Sequence, residues 1–146
     1  MPTPPLIYVL NGPNLNLLGR REPDIYGHQS LDDIAAQLSE QALALGVELD
    51  IRQSNHEGHL IDWLQEAQDA GAQAVILNPG GYSHTSVALH DAVRAISTPV
   101  ILVHLSDPET RESFRHADLV ALAAATVIKG QGARGYATAL DAAARL

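Results

Sequence analysis

Short apolar runs alternate with longer amphipathic ones along this chain. Leu6 to Leu10 is an unbroken apolar run between Pro5 and Asn11, the pattern of a strand covered on both faces. A long stretch rich in Gly, Pro, Asn and Arg follows, up to Gly27. Ser30 and Asp33 then resemble a capping box, and Leu31, Ile34, Ala35, Leu38, Ala42 and Leu45 recur at helical spacing until Gly46 stops them. Val47–Arg52 is predicted as a second strand. Leu60, Ile61, Leu64 and Ala67 mark a second helix, closed by Gly71. Ala74–Leu77 is the predicted third strand and Ser86–Ile96 the third helix. Val100–Leu105 is almost continuously apolar, as a central parallel strand requires. Asp107 and Pro108 read as the cap and first residue of a helix reaching about Arg115. Leu119–Leu122 is a candidate fifth strand, and Ala133–Leu146 a last helix.

Five such strand–helix units predict an α/β fold: a flavodoxin-like, doubly wound, parallel five-stranded sheet of order 2-1-3-4-5. A length of 146 residues suits one catalytic domain over residues 1–146, with no linker, repeat or low-complexity segment. In that strand order the chain reverses direction between strands 1 and 3. Ligands bind at the carboxyl ends of the strands there. The unusual polar residues fall in the loops after strands 1, 3 and 4, which argues for one shared site.

Composition narrows the options. With one Phe and one Trp, the core must come from Leu, Val, Ile and Ala. A net charge of −8 argues against nucleic acid and against anionic membrane surfaces as partners. The absence of cysteine excludes disulfides, thiolate metal sites and cysteine nucleophiles. The N-terminal segment has no basic region, and its apolar run is too short for a signal core, so a cytoplasmic protein is expected.

Two motifs carry less than they first suggest. Gly130, Gly132 and Gly135 match G-x-G-x-x-G, but they open the last predicted helix and no strand with an acidic ribose partner follows. A tight turn with close helix–sheet packing accounts for them. Seven histidines invite a metal, yet none stands at ligand spacing with partners, so no metal site is expected. His28, His56, His59 and His116 read as solvated, and His90 as structural or at a rim.

The segment Asn11 to Tyr26 is long and without period, which often marks a lid or binding loop. Tyr26 follows Arg20 and Arg21. A phenol serves as a base near neutrality only if its ionised form gains roughly 3 kcal/mol, and one or two nearby arginines can supply that. Gly80 and Gly81 permit close backbone approach beside Asn78 and His84, and Thr85 or Ser86 can cap the next helix. His104 ends the strand-4 run as either a core histidine satisfied by a carbonyl or a proton donor. Amides near Leu105 and Ser106 can hold a substrate carboxylate.

Taken together, these segments resemble the type II 3-dehydroquinate dehydratases. The matching stretches are Leu10 to Leu15, Gly19 to Gly27, Gln53 to Gly58, Leu77 to Asp91, Val103 to Ser106 and Phe114 to His116, in order along nearly the whole chain. The resemblance implies anti elimination of water from 3-dehydroquinate through an enolate, in the shikimate pathway of aromatic amino-acid biosynthesis. It also implies no cofactor and a homododecamer built as four trimers. By the family pattern, Tyr26 activated by Arg21 takes the proton beside the ketone. Asn14 positions a water at the enolate oxygen, and His104 protonates the departing hydroxyl. Asn78, His84, Asp91, Leu105, Ser106 and Arg115 hold the substrate, with Asp91 acting across a trimer contact. A quinate-catabolic dehydratase, or a weakened paralog binding a quinate-like ligand, are the alternatives.

One departure touches chemistry. The family carries a glutamate two residues before the catalytic histidine, and here that position is Leu102. Strand alternation places residues 102 and 104 on one face. Asp107 in place of an Asn, Ala117 to Val120 in place of a Ser-Tyr-x-Ser-like stretch, and Thr126 in place of a glycine lie nearby. The expectation is reduced activity, or another group or water supporting His104.

Overall fold

The computed structural model describes residues 3–146; Met1 and Pro2, the start of the segment read above for targeting signals, lie outside them. Five strands form one parallel sheet: β1 (Leu6–Asn11), β2 (Glu48–Gln53), β3 (Ala74–Asn78), β4 (Val100–His104) and β5 (Thr126–Lys129). Their order is β2-β1-β3-β4-β5, as the alternation of elements predicts. Every neighbouring pair is parallel, and Asn11 and Asn78 are aligned side by side at the carboxyl ends of β1 and β3.

The helices are α1 (Pro23–Tyr26), α2 (Leu31–Leu45), α3 (Glu57–Asp69), α4 (Tyr82–Thr85), α5 (Val87–Ala95) and α6 (Arg134–Ala144). The Ser30–Asp33 capping box is present with both reciprocal bonds, and Gly46 ends α2 in the left-handed conformation. Strand alternation divides the core in two. Ile7, Val9, Ile76, Ile101 and Val103 meet α2 and α6 on one face. Tyr8, Leu10, Val75, Leu77, Val100 and Leu102 meet α3 and α5 on the other.

Two expectations fail. Leu119–Leu122 is not a strand; the fifth strand is Thr126–Lys129, pairing with Ile101 to His104. The backbone amides of Leu119 and Val120 are instead committed to the Ser83 carbonyl, and Val120 is buried as a plug under the α5 face. The helix expected from Asp107 to Arg115 is two 3-10 turns, Pro108–Thr110 and Ser113–Arg115. Asp107 does cap the first through the Glu109 amide, but Arg111 is extended and breaks the run. The predicted third helix, Ser86–Ile96, is α5, with Ser86 capping it through the Leu89 amide, and the short α4 precedes it.

The glycine-rich opening of α6 is structural. A Cβ on Gly135 would lie 3.3 Å from Val103 Cγ1, so glycine lets α6 sit close against β4.

Candidate active site

The site is built where β1 and β3 end and their loops touch. The Gly12 amide donates to the Asn78 carbonyl at 2.8 Å, and a Cβ on Gly12 would stand 2.6 Å from the Pro79 oxygen. Gly80 has a φ of 58°, and a Cβ on it would lie 3.0 Å from the Pro13 oxygen. Only residues without side chains let these two loops approach in this way.

Beneath them lies a buried polar chain. The Tyr136 hydroxyl donates to Asn11 Oδ1 at 2.6 Å and accepts from Asn78 Nδ2 at 3.0 Å. Asn78 Oδ1 in turn accepts from the Gly80 amide. Tyr136 is fully enclosed, and burial pushes its phenol well above the ordinary tyrosine value despite the Asn78 bond. It is a structural phenol that sets the Asn78 rotamer.

Over this floor opens a cleft of about 160 Å³, a volume for a small metabolite. Asn14, Arg21, Tyr26, Asn78, His84, His104, Leu105, Ser106 and Arg115 all line it. Three arginines, Arg21, Arg111 and Arg115, face the cleft and no carboxylate does, in a chain of net charge −8. That concentration of one sign favours an anionic ligand.

The long loop is ordered by a 3-10 turn at Leu15–Leu17, with Leu15 and Leu18 buried beneath it, and by the one-turn helix α1. Asn14 is held in the left-handed region at φ 69°, and its amide donates to Asn55 Oδ1. Tyr26 packs partly on the α2–α6 core. Arg21 lies over its ring at 4.5 Å, while the group that reaches its hydroxyl is Arg111, at 2.9 Å. The same guanidinium donates to Ser106 Oγ at 3.2 Å. The extended backbone at Arg111, which breaks the expected helix, lets this side chain turn into the cleft.

His104 is only 6% exposed. Its Nε2 lies 2.7 Å from Asp118 Oδ2, and His84 stacks on its ring at 5.9 Å. His84 Nδ1 is bonded to the Ala117 carbonyl at 2.8 Å. Asp118 Oδ1 accepts from the Ser83 hydroxyl and from the Ala121 amide. Burial alone would raise the Asp118 carboxyl, but the bonds from His104 and Ser83 outweigh it and hold it below the usual carboxylate range.

Asp91 stands apart. It lies on α5, its side chain 70% exposed, beside His90 and outside the cleft. Four residues of the site carried no assignment from sequence: Arg111, Tyr136, Asn11 and Asp118. Asp118 had one signal, a single acid inside the otherwise apolar stretch Ala117 to Ala125. Among the described residues, no three His, Asp or Glu side chains are grouped to hold a metal ion.

Fold and site together define a doubly wound α/β enzyme with a small, arginine-lined cleft at the carboxyl edge of its sheet, where a tyrosine and a histidine meet. More particularly, the chain belongs to the Dehydroquinase class II family, which it matches over residues 5–144. It is 58% identical over 142 residues to the 3-dehydroquinate dehydratase of a Chelativorans species, covering 96% of this chain and 97% of the relative. To that of Phenylobacterium zucineum it is 56% identical over 140 residues, 96% of each chain. The crystal structure of the type II dehydroquinase from Butyrivibrio crossotus superposes with a TM-score of 0.94 at 40% identity, covering 96% of this chain and 97% of that one.

Proposed function

We infer that this chain is a type II 3-dehydroquinate dehydratase of the shikimate pathway. The observation that carries the reading is the cleft itself: Tyr26 and His104 line one small space with three arginines and no acid. The substrate is a carboxylate bearing a ketone and hydroxyls, and the arginines suit its charge.

Tyr26, as phenolate, takes the proton from the carbon beside the ketone, and the electron pair moves onto the ketone oxygen as an enolate. Arg111 donates to the Tyr26 hydroxyl and Arg21 lies over the ring, which places two cations beside the oxygen that takes the proton. Asn14 positions a water at the enolate oxygen. The enolate then collapses: a carbon–carbon double bond forms, the carbon–oxygen bond to the neighbouring hydroxyl breaks, and His104 protonates the leaving oxygen. The products are 3-dehydroshikimate and water. No step calls on a cofactor.

Asn78, His84, Arg115 and the Leu105 and Ser106 amides grip the substrate's polar groups. Asp91 joins them from a neighbouring subunit, because on its own chain it faces solvent away from the cleft. A homododecamer of four trimers, each chain acting as one catalytic domain, completes the reading. A cytoplasmic setting fits the pathway. Among the described residues no helix is long and apolar enough to cross a membrane.

Mixing the purified protein with 3-dehydroquinate and following the conjugated enone by ultraviolet absorbance tests the activity. Enone formation no faster than with Tyr26→Phe would refute it. Light scattering should return about twelve times the 15.6 kDa chain mass.

A further inference from the structure

We propose that Asp118 is the positioning residue for His104, a carboxylate supplied by the loop after β4 that takes over the support which Leu102 cannot give. The inference rests on the reading of His104 as the acid that releases water.

The leucine at position 102 has no group with which to do this. Leu102 is completely buried, packed in the same apolar cluster as Leu77, Leu89 and Val120 on the α5 side of the sheet. His104 emerges from that face one turn of the pleat later. The carboxylate that meets it comes from elsewhere in the chain, 14 residues on, at 2.7 Å from Nε2.

Asp118 is itself immobilised from several directions. Its Oδ1 accepts the Ser83 hydroxyl and the Ala121 amide, while Oδ2 is left for His104. The segment carrying it is clipped to α4 by the Leu119 amide, which donates to the Ser83 carbonyl at 2.8 Å. Ala117, one residue earlier, receives His84 Nδ1. Val120 then plugs the core with no exposure. A carboxylate held this way does not have to be ordered when the reaction begins.

This arrangement settles which nitrogen acts. Nε2 is occupied by Asp118, so Nδ1 is the nitrogen available to a substrate in the cleft. In the imidazolium, Nε2–H stays donated to Asp118 and Nδ1–H is given to the departing hydroxyl. The carbon–oxygen bond breaks, the enolate pair forms the double bond, and water leaves. His104 is then neutral with its Nε2 proton still on Asp118. The cycle closes when His104 regains a proton from solvent and Tyr26 releases one. The groups around the ring are Asp118, Ser83 and the stacked His84, with Arg111 and Arg115 on the cleft side. Asp118 is the one anion among them.

The test compares wild type, Asp118→Asn, Asp118→Asn with Leu102→Glu, and His104→Ala. Asp118→Asn keeps the shape and removes the charge. It should lower kcat about 10- to 100-fold with KM nearly unchanged, since a general acid as a whole is worth about 10²–10⁴-fold. The alkaline limb of its kcat–pH profile should move to lower pH. Adding Leu102→Glu, on the same face as His104, should recover part of the loss. In the wild-type proton NMR spectrum, the Nε2 proton shared with Asp118 should give a far-downfield signal that vanishes in Asp118→Asn. A folded wild type without that signal overturns the proposal even if the variants fail to fold. So does an Asp118→Asn enzyme with unchanged kcat and pH profile while His104→Ala loses activity; that result leaves the role of His104 intact. If His104→Ala also keeps full kcat, the acid assignment itself falls, and this proposal with it.

Discussion

The two ends of the cleft are built in different ways. The end proposed as the acid, at His104, is the terminus of a buried central strand; its partner Ser83 lies on α4, and the segment that carries Asp118 is tied to α4 by backbone bonds to the Ser83 carbonyl. The base end, at Tyr26, sits on a four-residue helix inside a surface loop, and the contact to its hydroxyl is one arginine from another loop. On the proposed mechanism, proton delivery to a leaving group tolerates little misplacement, and its donor is fixed by the core. On the same mechanism, proton abstraction must wait for substrate to enter, and its base is carried on a surface loop that is pinned by buried Leu15 and Leu18 and by the partial packing of Tyr26 on the core.

Substitutions can break this contrast. Tyr26→Phe should give the largest effect, lowering kcat about 10²–10⁴-fold, the range of a lost general base. Urea unfolding should hardly change, because Tyr26 is only partly buried and no other group depends on its hydroxyl except Arg111. If the variant instead loses stability, the base end is as much a part of the core as the acid end. Arg111→Met should come next, at roughly 10- to 100-fold in kcat/KM, because it frees both the Tyr26 hydroxyl and Ser106 while Arg21 remains. Steady-state kinetics beside Arg21→Met would show which arginine matters more; a larger loss for Arg21→Met would reverse the order drawn from these contacts.

The floor beneath the cleft should respond in the opposite way. Tyr136→Phe leaves Asn11 Oδ1 and Asn78 Nδ2 without their buried partner, which costs about 1–3 kcal/mol. Chemical denaturation should register that loss, with KM rising as Asn78 loses its rotamer. A variant as stable as wild type would show that water replaces the phenol.

The smallest effect is on acid stability. The Asp118 carboxyl is held below its unfolded value, so its contribution is present near neutrality and is lost as pH falls through the folded-state value. Thermal melts of Asp118→Asn should therefore lie below wild type at pH 7 and converge with it in strong acid. A constant gap across that range would mean that the loss is one of packing and not of charge.

Much of the architecture was legible in the chain because it rests on periodicity. Apolar runs at Leu6 to Leu10 and Val100 to Leu105 could only be covered strands, and Ser30 with Asp33 announced α2 before its apolar stripe began. The polar residues of the β1, β3 and β4 loops were legible as well, since a doubly wound sheet brings those loops together. The errors fell where local pattern and tertiary demand diverge. Leu119 to Leu122 has strand composition, yet its amides were captured by Ser83 and its apolar side chain Val120 by the core. The run from Asp107 to Arg115 has helix signals, yet it bends at Arg111 where that side chain turns into the cleft.

What the sequence by itself determined is the strand order, the two apolar faces of the sheet and the set of loops that meet, all consequences of hydrophobic period and chain direction. What only the tertiary structure decided is which charged group lies against which side chain of the cleft: Arg111 at the Tyr26 hydroxyl, and Asp118 at His104 Nε2. Those pairings join residues 85 and 14 positions apart. Hydrogen bonds of that kind have no period along the chain; they depend on where packed loops place single atoms to within a fraction of an ångström.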